Sequence, residues 1–219
     1  MTGQDTVLAV VLRSLEVSGA AVLLATLIGV PLGYALGVSR FWGRRAALAV
    51  VNTGMALPPV VAGLFVYMLL SRSGPLGGLD LLFSKGAMVA AQVVIATPLV
   101  AGVTAAACAS IPAGVRLQAR GLGAGALDEA RLVLGEARKG VMAAVVAGFG
   151  GIISEVGAVM LVGGNIAGST RVMTTAIVLE TRQGHFGTAV ALGLVLVGIA
   201  AVINGALTAL QHGGVRYER

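Results

Sequence analysis

The sequence predicts an all-α integral membrane protein with five transmembrane helices. Hydrophobic residues make up 57% of its 219 positions, charged residues make up 11%, and the mean hydropathy is +0.96. A soluble domain of this length cannot bury so much apolar surface. The long apolar windows fit helices that satisfy their own backbone in lipid, and they lack the alternation of a porin strand.

Five windows with almost no charge set the predicted spans, because crossing a bilayer takes about 20 apolar residues. The spans are predicted over residues 15–39, 46–71, 86–110, 140–164 and 187–211. A charged loop, residues 112–138, separates the third and fourth spans, and residues 165–186 form a second loop with a short helix. Since Arg13 and Glu16 interrupt the first apolar stretch, a lead-in turn or amphipathic start is expected there. The whole chain, 1–219, is predicted to be one membrane domain.

Basic residues are divided unevenly between the two sides of the predicted bundle. The first loop, the charged loop and the C-terminal tail hold 10 of the 15 basic residues: Arg40, Arg44, Arg45, Arg116, Arg120, Arg131, Arg138, Lys139, Arg216 and Arg219. Cytoplasmic loops of membrane proteins carry such an excess. We therefore expect the charged loop and the C-terminus in the cytoplasm and the N-terminus outside. The net charge of +6 then reflects topology, and no nucleic-acid partner is expected.

Prolines and one acid interrupt the apolar windows. Pro58 and Pro59 lie within MALPPVVAGL of the second span, and Pro98 follows Thr97 in the third. Proline removes a backbone donor and bends a helix, so these positions predict bent segments. Glu155 is the clear charge inside a predicted span. Two roles stay open for it: a neutral or hydrogen-bonded structural group, or a group beside a water-filled path.

The loop after the fourth span combines turn residues with a short helical stretch. Asn165 and the following Gly and Ser residues predict a turn or a re-entrant loop. Residues 172–180 predict a short helix at the membrane surface. Two interpretations of Arg171, Thr174 and Thr175 stay open: contact with an anion, or plain interfacial anchoring.

No catalytic or metal-ligating constellation is recognisable in the sequence. His185 and His212 are isolated, and there is no nucleotide loop of the G-x-x-x-x-G-K type. We therefore expect neither an enzyme activity nor a cofactor in this chain. A secondary transporter not driven by ATP stays open as an alternative, although it requires coupling charges in several spans. A membrane enzyme or assembly scaffold is a third alternative, which needs clustered polar residues.

The charged loop carries a recognisable spacing. Three residues, 120–122, separate LQA at residues 117–119 from Gly123, and LVLG follows at residues 132–135. This pattern resembles the EAA, Gly and I-x-L-P coupling motif of binding-protein-dependent ABC importer permeases, with three departures: Leu for Glu, Gly for Pro, and one residue less of spacing. EAR at residues 129–131 offers a second frame. The resemblance assigns contact with an ATPase to Leu117, Gln118, Ala119, Gly123, Ala124, Glu129, Leu134 and Gly135.

The segment beyond the charged loop is more specific. SEVGA at residues 154–158, VGGNI at 162–166 and TTAIVLET at 174–181 resemble the oxyanion branch of that family, which comprises the molybdate, sulfate and tungstate permeases. The match is best with the tungstate permeases, and LPPVVAGL at 57–64 matches the family as well. The resemblance covers essentially the whole chain. It implies import of an oxyanion, tungstate first, with molybdate or sulfate as alternatives.

The resemblance also implies an architecture and partners. The fold is expected to be the small type I importer core, a multi-pass protein of the cell membrane with short cytoplasmic coupling helices. A homodimer of this chain, an ATPase dimer that binds ATP and Mg, and an external oxyanion-binding protein are the expected partners. The path or its gate is assigned to Pro58, Pro59, Thr97, Pro98, Glu155, Gly163, Gly164, Asn165, Arg171, Thr174 and Thr175.

Overall fold

The structure, a computed structural model, describes residues 6–212 and gives only the backbone at positions 207 and 210–212. Its helices are α1 (Val7–Val38), α2 (Arg44–Met55), α3 (Pro59–Leu70), α4 (Lys85–Ala109), α5 (Ala113–Gly121), α6 (Ala126–Glu136), α7 (Arg138–Ile153), α8 (Gly157–Gly163), α9 (Met173–Arg182) and α10 (Phe186–His212). A short 3₁₀ turn covers Gly77–Leu79. The all-α prediction is confirmed. The predicted placement of the N-terminus and of Arg216 and Arg219 concerns positions outside the described residues.

Three helices are long and apolar enough to cross a membrane, namely α1, α4 and α10 up to Ala206. Two helix pairs also pass that test when each is taken together: α2 with α3, which meet at an angle of 102°, and α7 with α8, which meet at 61°. The described residues therefore hold three to five spans. The predicted five corresponds to counting each bent pair as one span.

The first helix begins earlier than the predicted span. Its N-cap is Thr6, whose hydroxyl accepts a hydrogen bond from the backbone of Ala9, and the helix starts at Val7. Arg13 and Glu16, expected in a lead-in, lie within the helix itself. Glu16 pairs with Lys85 at 2.6 Å, at the first residue of α4. The ion pair of Glu16 with Lys85 therefore joins the first part of α1 to the start of α4.

Helix α4 lies at the centre of the bundle, where α1, α2, α3, α7 and α8 pack against it. Its contact with α1 is the most extensive and depends on small residues. A Cβ added to Gly33 would lie 2.6 Å from the carbonyl oxygen of Ala101, and one added to Gly37 would lie 2.6 Å from that of Ala105. A Cβ added to Gly29 would lie 2.9 Å from the side chain of Val100. Small residues at four-residue spacing let two membrane helices approach closely.

The outer helices present large apolar side chains. Leu27 of α1 is 71% exposed and Leu194 of α10 is 69% exposed, whereas α4 buries residues such as Met88 and Val100 completely. Exposed apolar stripes on helices around a buried central helix fit a protein surrounded by lipid or by membrane partners.

We expect Gly33→Val to destabilise the protein, because the added side chain collides with backbone and with Thr104 of α4. Overpacking of this kind costs about 1–3 kcal/mol. The midpoint of thermal unfolding in detergent measures it. Gly19→Val is the matched control, since no atom lies within 4 Å of a Cβ added there. Equal midpoints for the two variants would contradict the close packing of α1 on α4.

Candidate functional site

The charged loop folds into a hairpin of two helices, α5 and α6, which we call the α5–α6 hairpin. Gly123 lies in its turn at φ +87°, in the left-handed region that glycine adopts without strain. The backbone of Gly123 donates to Arg120 and that of Ala124 donates to Ala119, both at 3.0 Å. These two bonds form a helix-ending Schellman motif. The turn therefore requires glycine at position 123 for its conformation, with open space around it.

A buried carboxylate holds the hairpin together. Glu129 of α6 is 4% exposed and accepts hydrogen bonds from the Nε atoms of Arg116 and Arg120 of α5, both at 2.6 Å. Arg116 also donates through Nη1 to the carbonyl oxygen of Val38, at 3.1 Å. Because Val38 is the last residue of α1, the same arginine ties the hairpin to the end of the first long helix. We call these three ionised residues the Glu129 cluster.

The two arginines fix the protonation state of the cluster. The hydrogen bonds from Arg120 and then from Arg116 lower the pKa of Glu129, and the bond to Glu129 raises the pKa of Arg120. A carboxylate with a lowered folded-state pKa stabilises the fold fully above its unfolded pKa of about 4.3. That stabilisation is lost as the pH falls through the lower folded-state pKa. Glu129 is therefore ionised at neutral pH.

The other predicted coupling residues lie mostly on the outside of the hairpin. Leu117 is 67% exposed, Gln118 and Gly135 are exposed, and Ala119, Ala124 and Leu134 are half-buried. Leu122, which the sequence analysis did not assign, is 90% exposed in the turn, and Leu127 is 63% exposed. Glu129 differs from the rest because it points inward. The outer surface thus offers exposed leucines around the hydrogen-bonded turn at Gly123.

The second feature is the break between α7 and α8, at residues 154–156. Ending a helix releases backbone groups that need partners, and lipid supplies none. Gln92 of α4 donates to the carbonyl oxygen of Ile152 at 2.9 Å, and Thr174 of α9 donates to that of Glu155, also at 2.9 Å. The Glu155 carboxylate accepts from the backbone N–H of Ala158 at 3.0 Å, at the start of α8. Three side chains therefore satisfy the break.

At the break between α2 and α3, the backbone groups are satisfied in a different way. Pro58 and Pro59 have no N–H, and the backbone of Ala56 and Leu57 bonds to the preceding turn of α2. Thr97 and Pro98 are half-buried in α4, which continues as a helix through Pro98. A Cβ on Gly54, near the end of α2, would lie 2.8 Å from the Pro98 ring. The three predicted gate prolines therefore lie close to one bend.

The two breaks are neighbours in space. A Cβ added to Gly157 would lie 2.4 Å from the Val60 side chain, and one added to Gly63 would lie 2.5 Å from the Cα of Ala158. The start of α8 thus packs against the first turn of α3. LPPVVAGL and SEVGA, two separate motifs in the sequence, therefore lie together in the structure.

The loop from α8 to α9 is held internally. Gly164 and Asn165 have positive φ values of 70° and 52°, and Thr170 donates to the carbonyl oxygen of Gly163. Thr174 and Thr175 are buried, and the Thr175 hydroxyl bonds to the backbone of Val172. Both threonine hydroxyls thus bond to the protein itself.

Two residues that the sequence analysis did not assign have central positions. Arg13 is 8% exposed and donates to the carbonyl oxygen of Arg171 at 2.6 Å, which joins α1 to the loop before α9. Gln92 is 3% exposed, and it lines a cavity of about 10 Å³ beside Ser18, Glu155 and Thr174. A large polar group deep in an apolar window was the available signal, since Gln92 is the one amide side chain in the third predicted span.

Comparison with known proteins identifies relatives over most of the chain. Residues 29–213 match the family described as binding-protein-dependent transport system inner membrane component. A probable anion ABC transporter permease protein of Haloferax volcanii is 43% identical over 196 residues, which cover 87% of this chain and 84% of that protein. The tungstate uptake system permease protein of Peptoclostridium acidaminophilum is 39% identical over 203 residues, which cover 93% of this chain and 89% of the relative.

A solved structure supports the fold. The MetNI methionine ABC transporter, in an inward facing conformation, contains a chain that matches with a TM-score of 0.80 at 20% identity, and the match covers 96% of both chains. At that identity the likeness concerns the fold alone. The predicted type I importer permease fold is confirmed.

We expect Glu129→Gln to loosen the α5–α6 hairpin, because an amide oxygen replaces only part of what a carboxylate accepts from two guanidinium groups. Hydrogen exchange of the backbone amides in α5 and α6 should rise several-fold in the folded protein. Asp128→Asn is the matched control: Asp128 precedes Glu129, and its ion pair with Arg131 is 3.4 Å long and exposed. Equal rates of amide hydrogen exchange in the two variants would contradict the structural role of the Glu129 cluster.

A second pair of variants tests the carboxylate at the break. Glu155→Gln should retain wild-type stability, since the amide oxygen still accepts from Ala158. Glu155→Ala should lose about 0.5–2 kcal/mol, the usual cost of removing a helix-capping side chain. Thermal unfolding of both proteins in detergent measures the difference. A Gln variant as unstable as the Ala variant would show that the charge itself is needed.

Proposed function

This chain belongs to the family of binding-protein-dependent transport system inner membrane components, and from that membership we propose that it is the membrane subunit of an ATP-driven oxyanion importer. Tungstate is the proposed substrate. The observation that carries the proposal is the α5–α6 hairpin, a rigid polar element with exposed leucines set between apolar helices. Similarity along most of the chain to a tungstate uptake permease supports the choice of anion.

In this mechanism the hairpin docks on a cytoplasmic ATPase. Exposed Leu117 and Leu122 supply apolar contacts with the ATPase. The Glu129 cluster keeps the hairpin rigid, so that a movement of the ATPase displaces the whole hairpin and does not bend it. A single residue, Ala137, separates α6 from α7, and Arg116 connects the hairpin to α1. Closure of the ATPase dimer on ATP would therefore move α1 and α7 together.

Movement of α7 reaches the path through the break at residues 154–156. Helix α8 continues from that break and packs on α3, which begins at the other bend. A shift of α7 thus changes how α8 lies against α3. Of the path residues assigned above, Pro58, Pro59 and Glu155 lie at these two bends, and the Gly163–Asn165 turn lies at the far end of α8. We propose that the bends act as the gate, in a homodimer whose two copies face each other across the path.

The chemistry of oxyanion recognition indicates which subunit selects the anion. An oxyanion is selected by several oriented donors in a dehydrated pocket. We place that pocket on an external binding protein, and we place ATP and Mg in the ATPase subunits. The charged loop and the C-terminus face the cytoplasm in this proposal, in agreement with the excess of basic residues on that side.

We expect tungstate, presented by its binding protein, to stimulate ATP hydrolysis by the reconstituted complex of this chain and its ATPase. Stimulation should occur at a lower concentration with tungstate than with molybdate or sulfate. Equal stimulation by molybdate would widen the substrate to both anions. Transport by this chain without any ATPase would contradict the mechanism and favour a secondary transporter.

The same assay includes a control for the hairpin. Gly123→Val should abolish stimulation while membrane insertion stays normal, because valine strains a residue at φ +87°. Gly121→Val is matched to it, since neither glycine has an atom within 4 Å of an added Cβ and only Gly123 has a positive φ. Full stimulation in Gly123→Val would contradict the docking role of the turn.

A further inference from the structure

The turn between α1 and α2 carries a dense group of basic and aromatic side chains that the proposed function does not use. It runs RFWGRR over Arg40–Arg45, which we call the Arg40–Arg45 turn. Trp42 is 100% exposed and Phe41 is 47% exposed. Large aromatic side chains on a surface this open indicate a contact with something outside the chain.

The charges of this turn are not balanced within the chain. From residue 17 to residue 79 the sequence contains no acidic residue. Within residues 6–212, no carboxylate forms an ion pair with Arg40, Arg44 or Arg45. The six residues of the turn line an open groove of about 470 Å³. Three guanidinium groups around one groove favour an anionic occupant.

The backbone fixes the shape of the groove. Gly43 has a φ of 90°, and the N–H of Arg44 bonds to the carbonyl oxygen of Phe41 at 3.2 Å. Arg44 donates through Nε to the carbonyl oxygen of Leu36 at 2.7 Å, so its side chain is anchored against the end of α1. The turn is therefore a preformed feature of the fold.

The position of the turn indicates which anion it meets. Helix α1 has 32 residues and is about 48 Å long at 1.5 Å per residue, which exceeds the roughly 30 Å hydrocarbon core. Its C-terminal end therefore reaches the membrane surface. Leu32 of α1 and Val50 of α2 are 41% and 71% exposed, so apolar surface adjoins the turn on both helices. Tryptophan and arginine side chains favour the headgroup level.

We propose that the Arg40–Arg45 turn binds the phosphate headgroup of an anionic phospholipid. Arg40 and Arg45 contact the phosphate as free exposed cations, Arg44 adds its remaining donors, and Trp42 inserts its ring beside the acyl chains. The inference rests on the membrane placement of the proposed function and not on its substrate. A lipid bound here would brace the junction of α1 and α2, next to the Val38 carbonyl that holds the α5–α6 hairpin.

Trp42 makes the test direct, because it is the single tryptophan of the chain. The full chain is reconstituted in vesicles of phosphatidylcholine and phosphatidylglycerol at equal mole fractions, with acyl-chain bromine on one lipid or on the other. Brominated phosphatidylglycerol should quench Trp42 fluorescence more than brominated phosphatidylcholine does. The preference should fall roughly fivefold for each arginine removed in Arg40→Gln and Arg45→Gln.

Arg44 is left intact because its bond to Leu36 serves the fold. Arg131→Gln, at an exposed arginine of the α5–α6 hairpin, is the matched control and should leave the preference unchanged. Equal quenching by both lipids would overturn headgroup recognition and leave plain interfacial anchoring. Absence of quenching by either lipid would place Trp42 away from the acyl chains and overturn the proposal. Substrate-stimulated ATP hydrolysis, measured separately, reports on the proposed function regardless of either result.

Discussion

Backbone satisfaction inside the membrane is the constraint on which the rest of this structure depends. A span that breaks at residues 154–156 exposes carbonyl and amide groups where water is scarce. Gln92, Thr174 and the Glu155 side chain satisfy three of these groups from three directions. Since Gln92 belongs to α4 and Thr174 to α9, the break can exist only where α4, α7 and α9 converge. The same bonds thus determine the geometry of the bend and the packing of its neighbours.

Hydrogen bonds with a similar double role join the α5–α6 hairpin to the bundle. Glu129 is buried, and a buried carboxylate without partners is costly, so the side chain is stable there only with Arg116 and Arg120 in place. Arg116 at the same time bonds the end of α1. The hairpin is therefore attached at three points: its chain ends continue into α4 and, through Ala137, into α7, and Arg116 bonds it to α1. In the proposed mechanism, the bond from Arg116 to α1 lets the hairpin transmit force, whereas a loop attached only at its two chain ends would flex.

Much of this architecture was accessible from sequence, for reasons that can be stated. Apolar windows predict spans because lipid demands them, and the positive φ of Gly123 follows from a glycine that ends a helical stretch. The inward direction of Glu129 was not predictable, since it depends on two arginines 9 and 13 residues away meeting it across a turn. The meeting of the two bends, at Val60 and Gly157, depends on close packing of segments almost a hundred residues apart. The hydrophobic pattern of the sequence and its helical period do not tell which distant segments pack together.

The hydrogen-bond partners of the polar side chains in and near the break bear on selectivity between anions. Among the described residues, Thr174, Thr175 and Thr170 each donate to a backbone carbonyl, and Gln92 gives its amide N–H to Ile152. These donors are therefore occupied in holding the fold, although the sequence alone presents Thr174 and Thr175 as candidates for contact with an anion. Glu155 adds a carboxylate close by, which repels a dianion when it is ionised. In the proposed mechanism, a path built in this way favours passage over tight binding, and discrimination between tungstate and molybdate is left to the external binding protein.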